Sequence, residues 1–113
     1  VQVGTSFLLC NEAKTSNLHK SAILRAQAEH TALTNIFTGK PARGIVNRVM
    51  SELGYMSAQA PEFPYAAIEL GQLRGKAEAQ NNHDFSPLWC GQNTSGCAAI
   101  SAAEMTLKLA GHL

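Results

Sequence analysis

The chain has 113 residues, of which 45% are hydrophobic, 6% aromatic and 15% charged, and its net charge is +1. That length predicts one domain with a modest core. Lys and Arg are scattered along it, which leaves no electrostatic footprint for nucleic acid, and no apolar run approaches the roughly 18 residues that cross a bilayer.

Val1-Gln2-Val3 reads as the end of a buried strand that runs into a Gly4-Thr5 turn, with no initiator Met ahead of it. A strand needs partners for its backbone N–H and C=O groups. The expectation is therefore a C-terminal piece of a larger protein whose remainder holds a sheet. Low charge fits a piece that buries much of its surface against something else. No signal peptide is visible, and the expected location is the cytoplasm.

Ser16 or Asn17 is placed to cap a helix. Leu18, Ala22, Ile23 and Ala26 follow at helical spacing, and the helix is expected to end near Ala28. Thr31, Thr34, Ile36 and Phe37 favour extended structure. The cluster Thr38-Gly39-Lys40-Pro41 then turns the chain into a loop or second short strand over Ala42 to Val46, so a small hairpin or an irregular excursion is expected. Asn47 is expected to cap a short helix over Arg48 to Leu53, closed by Gly54. After a linker containing Pro61, Pro64 suits the first turn of a helix. One face of that helix holds Ala66, Ala67, Leu70, Leu73 and Ala77. Gly71 and Gly75 weaken it by about 1 kcal/mol each, so tertiary support or close packing against another backbone is expected. Phe85 to Cys97 reads as loop. Ser101-Ala102-Ala103-Glu104 is a capping box opening the last helix, with Gly111 past its end.

Three cysteines, Cys10, Cys90 and Cys97, argue against a disulfide framework. Reduced, buried thiols are the plainer reading, with a Cys90–Cys97 pair left open. No histidine stands at metal-ligand spacing from another histidine or a cysteine pair, so no metal site is read.

A strand ending in Gly-Thr is an anion site in principle. Glycine lets backbone approach a phosphate, and free N–H groups and the Thr5 hydroxyl can donate to it. Arg43 is either a cation reaching for phosphate or substrate, or a brace whose donor fork bonds the loop. Lys40 reads as solvated, and Ser6 and Thr38 as turn or cap residues. No catalytic residue is assigned.

Three segments together resemble the C-terminal third of the nitronate monooxygenases. They are Val1-Gln2-Val3-Gly4-Thr5-Ser6-Phe7-Leu8, Phe37-Thr38-Gly39-Lys40-Pro41-Ala42-Arg43-Gly44, and Pro87-Leu88-Trp89-Cys90-Gly91-Gln92. The middle segment is the most specific. The resemblance implies a mainly α chain that is the C-terminal fragment of a (β/α)8 barrel plus a small helical lid domain. Residues 1–28 would be the last β/α unit, 29–100 the helical and irregular lid, and 101–113 the C-terminal helix. On that fold the phosphate is often held by the loops after strands 7 and 8. The resemblance thus implies that Gln2, Val3, Gly4 and Thr5 line the phosphate of FMN, although strand packing is the plain alternative for Gln2 and Val3. Trp89, Gly91 and Gln92 match a family segment near the flavin, without an assigned contact.

The implied partners are the rest of the barrel, a small nitronate substrate and O2, with neither nucleic acid nor membrane. The implied reaction oxidises alkyl nitronates to a carbonyl compound and nitrite. Two rival readings are a flavin-dependent enoyl-thioester reductase fragment and a non-catalytic helical interaction module.

Overall fold

The computed structural model describes residues 1–26 and 30–112. It is helix-rich, with one two-stranded sheet and long irregular connections. A single 3-10 turn at Thr5–Phe7 is followed by α1 (Asn17–Arg25), β1 (Thr31–Thr34), β2 (Ala42–Ile45), α2 (Arg48–Leu53), α3 (Ala66–Glu78) and α4 (Ala102–Leu109). No strand forms at Val1–Val3, contrary to expectation. These residues are exposed, and no described backbone lies alongside to complete a ladder.

Ser16, and not Asn17, caps α1 by accepting from the His19 N–H at 3.2 Å. The helix stops at Arg25 because Ala26 swings to ψ 146°. The expected end at Ala28 lies outside the described residues. Its inner face buries Ala22 and Ile23.

Of the two expected forms, hairpin or irregular excursion, the hairpin is the one that forms. β1 and β2 pair antiparallel, with Thr31 opposite Ile45 and Thr34 opposite Ala42. A third extended segment, Leu88-Trp89-Cys90, runs along the other edge of β2. The Ile45 N–H donates to the Leu88 carbonyl at 2.9 Å and the Cys90 N–H to the Arg43 carbonyl at 3.2 Å. Pleating then sends alternate side chains to opposite faces. Leu88 and Cys90 join Leu9, Ala22, Ile23 and Ile45 in one core cluster. Trp89 packs on the other, made of Ile36, Phe37, Val49 and Met50. Its ring meets Phe37 edge-on, with centroids 5.4 Å apart.

The Gly39-to-Gly44 motif owes both glycines to close backbone approach. A Cβ on Gly44 would lie 3.1 Å from the Leu88 carbonyl oxygen. One on Gly39, at φ +95°, would lie 2.5 Å from the Pro61 carbonyl oxygen and closer still to the Phe63 nitrogen. The linker is also stitched to the hairpin by Asn35, whose Nδ2 donates to the Ser57 carbonyl at 2.8 Å while its Oδ1 accepts from the Ser57 N–H at 2.9 Å.

α2 spans the expected residues and ends at Gly54, φ +84°. The Asn47 side chain does not cap it. Its Nδ2 instead donates to the carbonyls of His83 and Ser86 at 2.8 and 2.7 Å. A buried amide with two carbonyls in reach satisfies more backbone there than at a helix start.

Pro64, joined to Phe63 by a cis peptide, sits in the turn ahead of α3, which begins two residues later. Gly71 and Gly75 do not serve close packing, since a Cβ at either would meet nothing within 4 Å. α3 buries Ala66 and Ala77 near its ends, while Ile68 stays 64% exposed.

The capping box of α4 forms as expected. Ser101 Oγ accepts from the Glu104 N–H and Glu104 Oε2 from the Ser101 N–H. Met105 anchors the helix in the interior. All three cysteines are free. No helix among the described residues is long and apolar enough to cross a membrane.

Gly39→Ala is expected to destabilise the chain by about 3 kcal/mol, from a positive φ combined with overlap on a rigid backbone. Urea unfolding of both forms measures this; a change within experimental error would show that the 61–63 backbone yields.

Candidate functional site

The Gly4-Thr5 turn is an open corner on a firm base. The Phe7 N–H closes on the Gly4 carbonyl at 3.0 Å, the Leu8 N–H on the Thr5 carbonyl at 3.1 Å and the Cys10 N–H on the Phe7 carbonyl at 3.1 Å. Leu9 and Cys10 are buried just beyond. The Asn11 N–H donates to the Ile100 carbonyl at 3.1 Å, and Glu12 accepts from the Ala102 N–H at 2.9 Å, which ties the start of α4 to the same base. Ahead of this bonded stretch, the amides of Gly4, Thr5 and Ser6 donate to no acceptor among the described residues. Gly4 is exposed and faces open space, with nothing within 4 Å of the position a Cβ would take.

Thr5 itself is held by the loop that follows Cys90. The Gly91 N–H donates to Thr5 Oγ1 at 2.7 Å, and the Cys97 thiol donates to the Thr5 carbonyl at 3.2 Å. A hydroxyl has two lone pairs and one proton. One lone pair is used, and the proton has no acceptor among the described residues. Gly91 and Thr5 are 86 positions apart, and no sequence signal links them.

The other predicted residues fall as follows. Gln2 and Val3 stand exposed beside the turn, Val3 at 41%, so neither packs as a strand residue among the described residues. Arg43 braces the sheet, its Nη1 donating to Thr31 Oγ1 at 3.1 Å. Lys40 lies exposed over the Phe63 ring, 4.5 Å from its centroid. Thr38 bonds the Lys40 backbone, as a turn residue does. Trp89 is a packing residue and Gln92 is exposed. No group of three or more His, Cys, Asp or Glu among the described residues is arranged to hold a metal.

The arrangement is a supported turn whose first amides and Thr5 hydroxyl proton have no acceptor among the described residues. Comparison with known proteins agrees with the family resemblance of the three sequence segments. The sequence model of the nitronate monooxygenase family matches residues 1–111. A probable nitronate monooxygenase of Bacillus subtilis is 45% identical over 92 residues, covering 81% of this chain and 26% of the relative. A nitronate monooxygenase of Pseudomonas aeruginosa is 32% identical over the whole chain and 32% of its own length. A crystal structure of nitroalkane oxidase from Streptomyces ansochromogenes superposes with a TM-score of 0.84 at 33% identity, over 99% of this chain and 32% of that one. The chain belongs to the nitronate monooxygenase family. It spans about a quarter to a third of the length of these relatives.

Close to the Gly91 loop, His19 ties α1 to the third extended segment. Its Nε2–H donates to the Trp89 carbonyl at 2.9 Å. Burial pushes the His19 pKa below the usual 6.5, partly offset by that bond. Glu78 on α3 is pushed up by burial, but bonds from Arg74 and Ser86 outweigh this and hold it below 4.5. Both groups have folded pKa values under their unfolded ones, so both take up protons more readily when unfolded. Stability is therefore complete above the unfolded value and falls with pH through the folded one.

The two windows separate. Loss that begins as pH drops below 6.5 belongs to His19, and loss that begins below 4.5 to the carboxylates. Urea midpoints measured between about pH 5 and pH 8 are expected to fall on the acid side for the natural chain. His19→Gln keeps a donor for the Trp89 carbonyl and is expected to flatten that slope.

Proposed function

We propose that this chain is the C-terminal part of an FMN-dependent nitronate monooxygenase, and that its Gly4-Thr5 turn binds the FMN phosphate. The observation that carries the reading is the turn itself. Its amides and the Thr5 proton have no acceptor among the described residues, and open space stands before Gly4, within the first of the three family segments. Those donors suit an oxyanion with several lone pairs. Gln2 and Val3 flank the turn and line the approach. In this reading residues 1–28 complete the last unit of a (β/α)8 barrel, 29–100 form the lid domain, and 101–113 return to brace the turn's base.

Family membership supports an oxidative reaction on nitronates. The flavin, when bound, supplies the electron-accepting chemistry by which an alkyl nitronate and O2 give a carbonyl compound and nitrite. This chain's residues contribute grip and orientation at the phosphate end. The reacting ring and the group that meets the nitronate belong to the longer remainder of the protein.

The whole protein is expected to release FMN on denaturation. It should consume O2 and produce nitrite when given an alkyl nitronate, whereas residues 1–113 alone should show no turnover. Rapid NADH oxidation without nitronate would replace the reading with an enoyl-thioester reductase. Absence of bound flavin, with a monomeric, cooperative melt of the 113 residues, would replace it with an interaction module.

Gly4→Ala is the sharper probe. At φ −109° with free space around it, the new methyl should leave unfolding stability within about 0.5 kcal/mol. It should weaken FMN about tenfold by standing where the phosphate approaches. Unchanged FMN affinity would remove the phosphate from this turn.

A further inference from the structure

We infer that Gly91 and Cys97 are positioning residues that clamp Thr5 at both ends and aim its hydroxyl proton at the bound anion. The inference rests on the phosphate reading of the turn.

The clamp is visible in two contacts from one loop. The Gly91 N–H occupies a lone pair of Thr5 Oγ1 at 2.7 Å, short for an N–H···O bond. The Cys97 thiol reaches the Thr5 carbonyl at 3.2 Å, which also accepts from the Leu8 N–H. With its lone pair engaged, the hydroxyl has its rotation restricted and its proton directed away from Gly91. A hydroxyl that accepts one hydrogen bond is also a stronger donor in the next. Gly91 leaves little slack, because a Cβ there would sit 3.3 Å from Thr5 Oγ1. Burial pushes the Cys97 thiol above its usual range, so it stays protonated at neutral pH and keeps its donor. Neither residue needs to touch the ligand. Their effect passes through Thr5.

The loop is itself anchored independently of the turn. Cys90 is bonded to β2 through Arg43, and the Thr94 hydroxyl donates to the Ala26 carbonyl at 3.1 Å at the end of α1. The clamp thus transmits the position of the sheet and α1 to one hydroxyl.

The test uses the whole protein stripped of flavin. Dissociation constants are measured for FMN and for riboflavin, which lacks the phosphate, in the natural protein and in Thr5→Val, Gly91→Ala, Cys97→Ala and the two doubles with Thr5→Val. Thr5→Val is expected to weaken FMN about tenfold or more, as loss of a hydrogen bond to a charged group does. Gly91→Ala and Cys97→Ala should each weaken FMN by about three- to tenfold and leave riboflavin nearly unchanged. In the Thr5→Val background neither should matter further, since coupled residues are non-additive.

If Thr5→Val closes the gap between FMN and riboflavin while the other two singles do not, the clamp is wrong and the phosphate site stands. The clamp is equally wrong if their effects persist undiminished without the hydroxyl, or fall equally on riboflavin. If Thr5→Val leaves the gap intact, the phosphate reading fails and takes the clamp with it. Should Gly91→Ala not fold, the Cys97 cycle decides alone, because it removes a donor and adds no bulk.

Discussion

The structure hangs on the contact between Gly44 and the backbone at Leu88. A Cβ at Gly44 would stand 3.1 Å from the Leu88 carbonyl oxygen, so any side chain there would push the third extended segment back by a few tenths of an ångström. Once there, Leu88-Trp89-Cys90 is paired through two main-chain hydrogen bonds and distributes its side chains to both core clusters. A two-stranded hairpin alone is marginal in water. The third segment makes it a surface with two covered faces, one against α1 and one against α2. Both clusters draw on it: Leu88 and Cys90 lie within one, and Trp89 packs against the other.

That tripeptide also sets where the next residues go. Cys90 is pinned to Arg43, so Gly91 emerges at a fixed point, which is where its N–H meets Thr5. From the other side His19 grips the Trp89 carbonyl. The first 26 residues and the sheet are thus held together by bonds to two nearby residues, 89 and 91, reinforced by Leu9, Ala22 and Ile23 in the shared cluster. Packing area holds the two parts, and the hydrogen bonds set their register.

What the sequence made legible was whatever is decided locally. Ser101 and Glu104 satisfy one another three residues apart, and Gly54 and Gly111 sit at positive φ just past their helices, so these ends were readable. The hairpin was readable from its turn cluster. Asn47 was misread because a side chain well suited to capping found two tertiary carbonyls instead, 36 and 39 positions away. The extended segment at Leu88 was invisible, since three residues carry no periodicity and the glycine that admits them is elsewhere. The same holds for the site. The Gly4-Thr5 motif was visible and its support by residues 90–97 was not, because a backbone N–H has no residue-type signature. The middle and most specific of the three segments that carry the family resemblance holds Gly39 and Gly44, which the structure explains as points of close backbone approach.

Unpaired amides at the start of a helical turn are ordinary, for every such turn leaves its first N–H groups without internal partners. They distinguish the Thr5 turn only in combination with the hydroxyl beside them. From Phe7 onward, the amides of residues 7, 8, 10, 11 and 13 all find acceptors within the chain. Thr5 stands at the boundary: its oxygen is engaged by an amide 86 positions distant, and its proton has no acceptor among the described residues. A threonine kept only for packing needs no such partner, and one kept only to cap the turn would direct its oxygen to an N–H of its own turn, as Ser16 and Ser101 do. The Thr5 oxygen is held from outside its own turn, which leaves its hydrogen available, and this is the feature on which the proposed anion site rests.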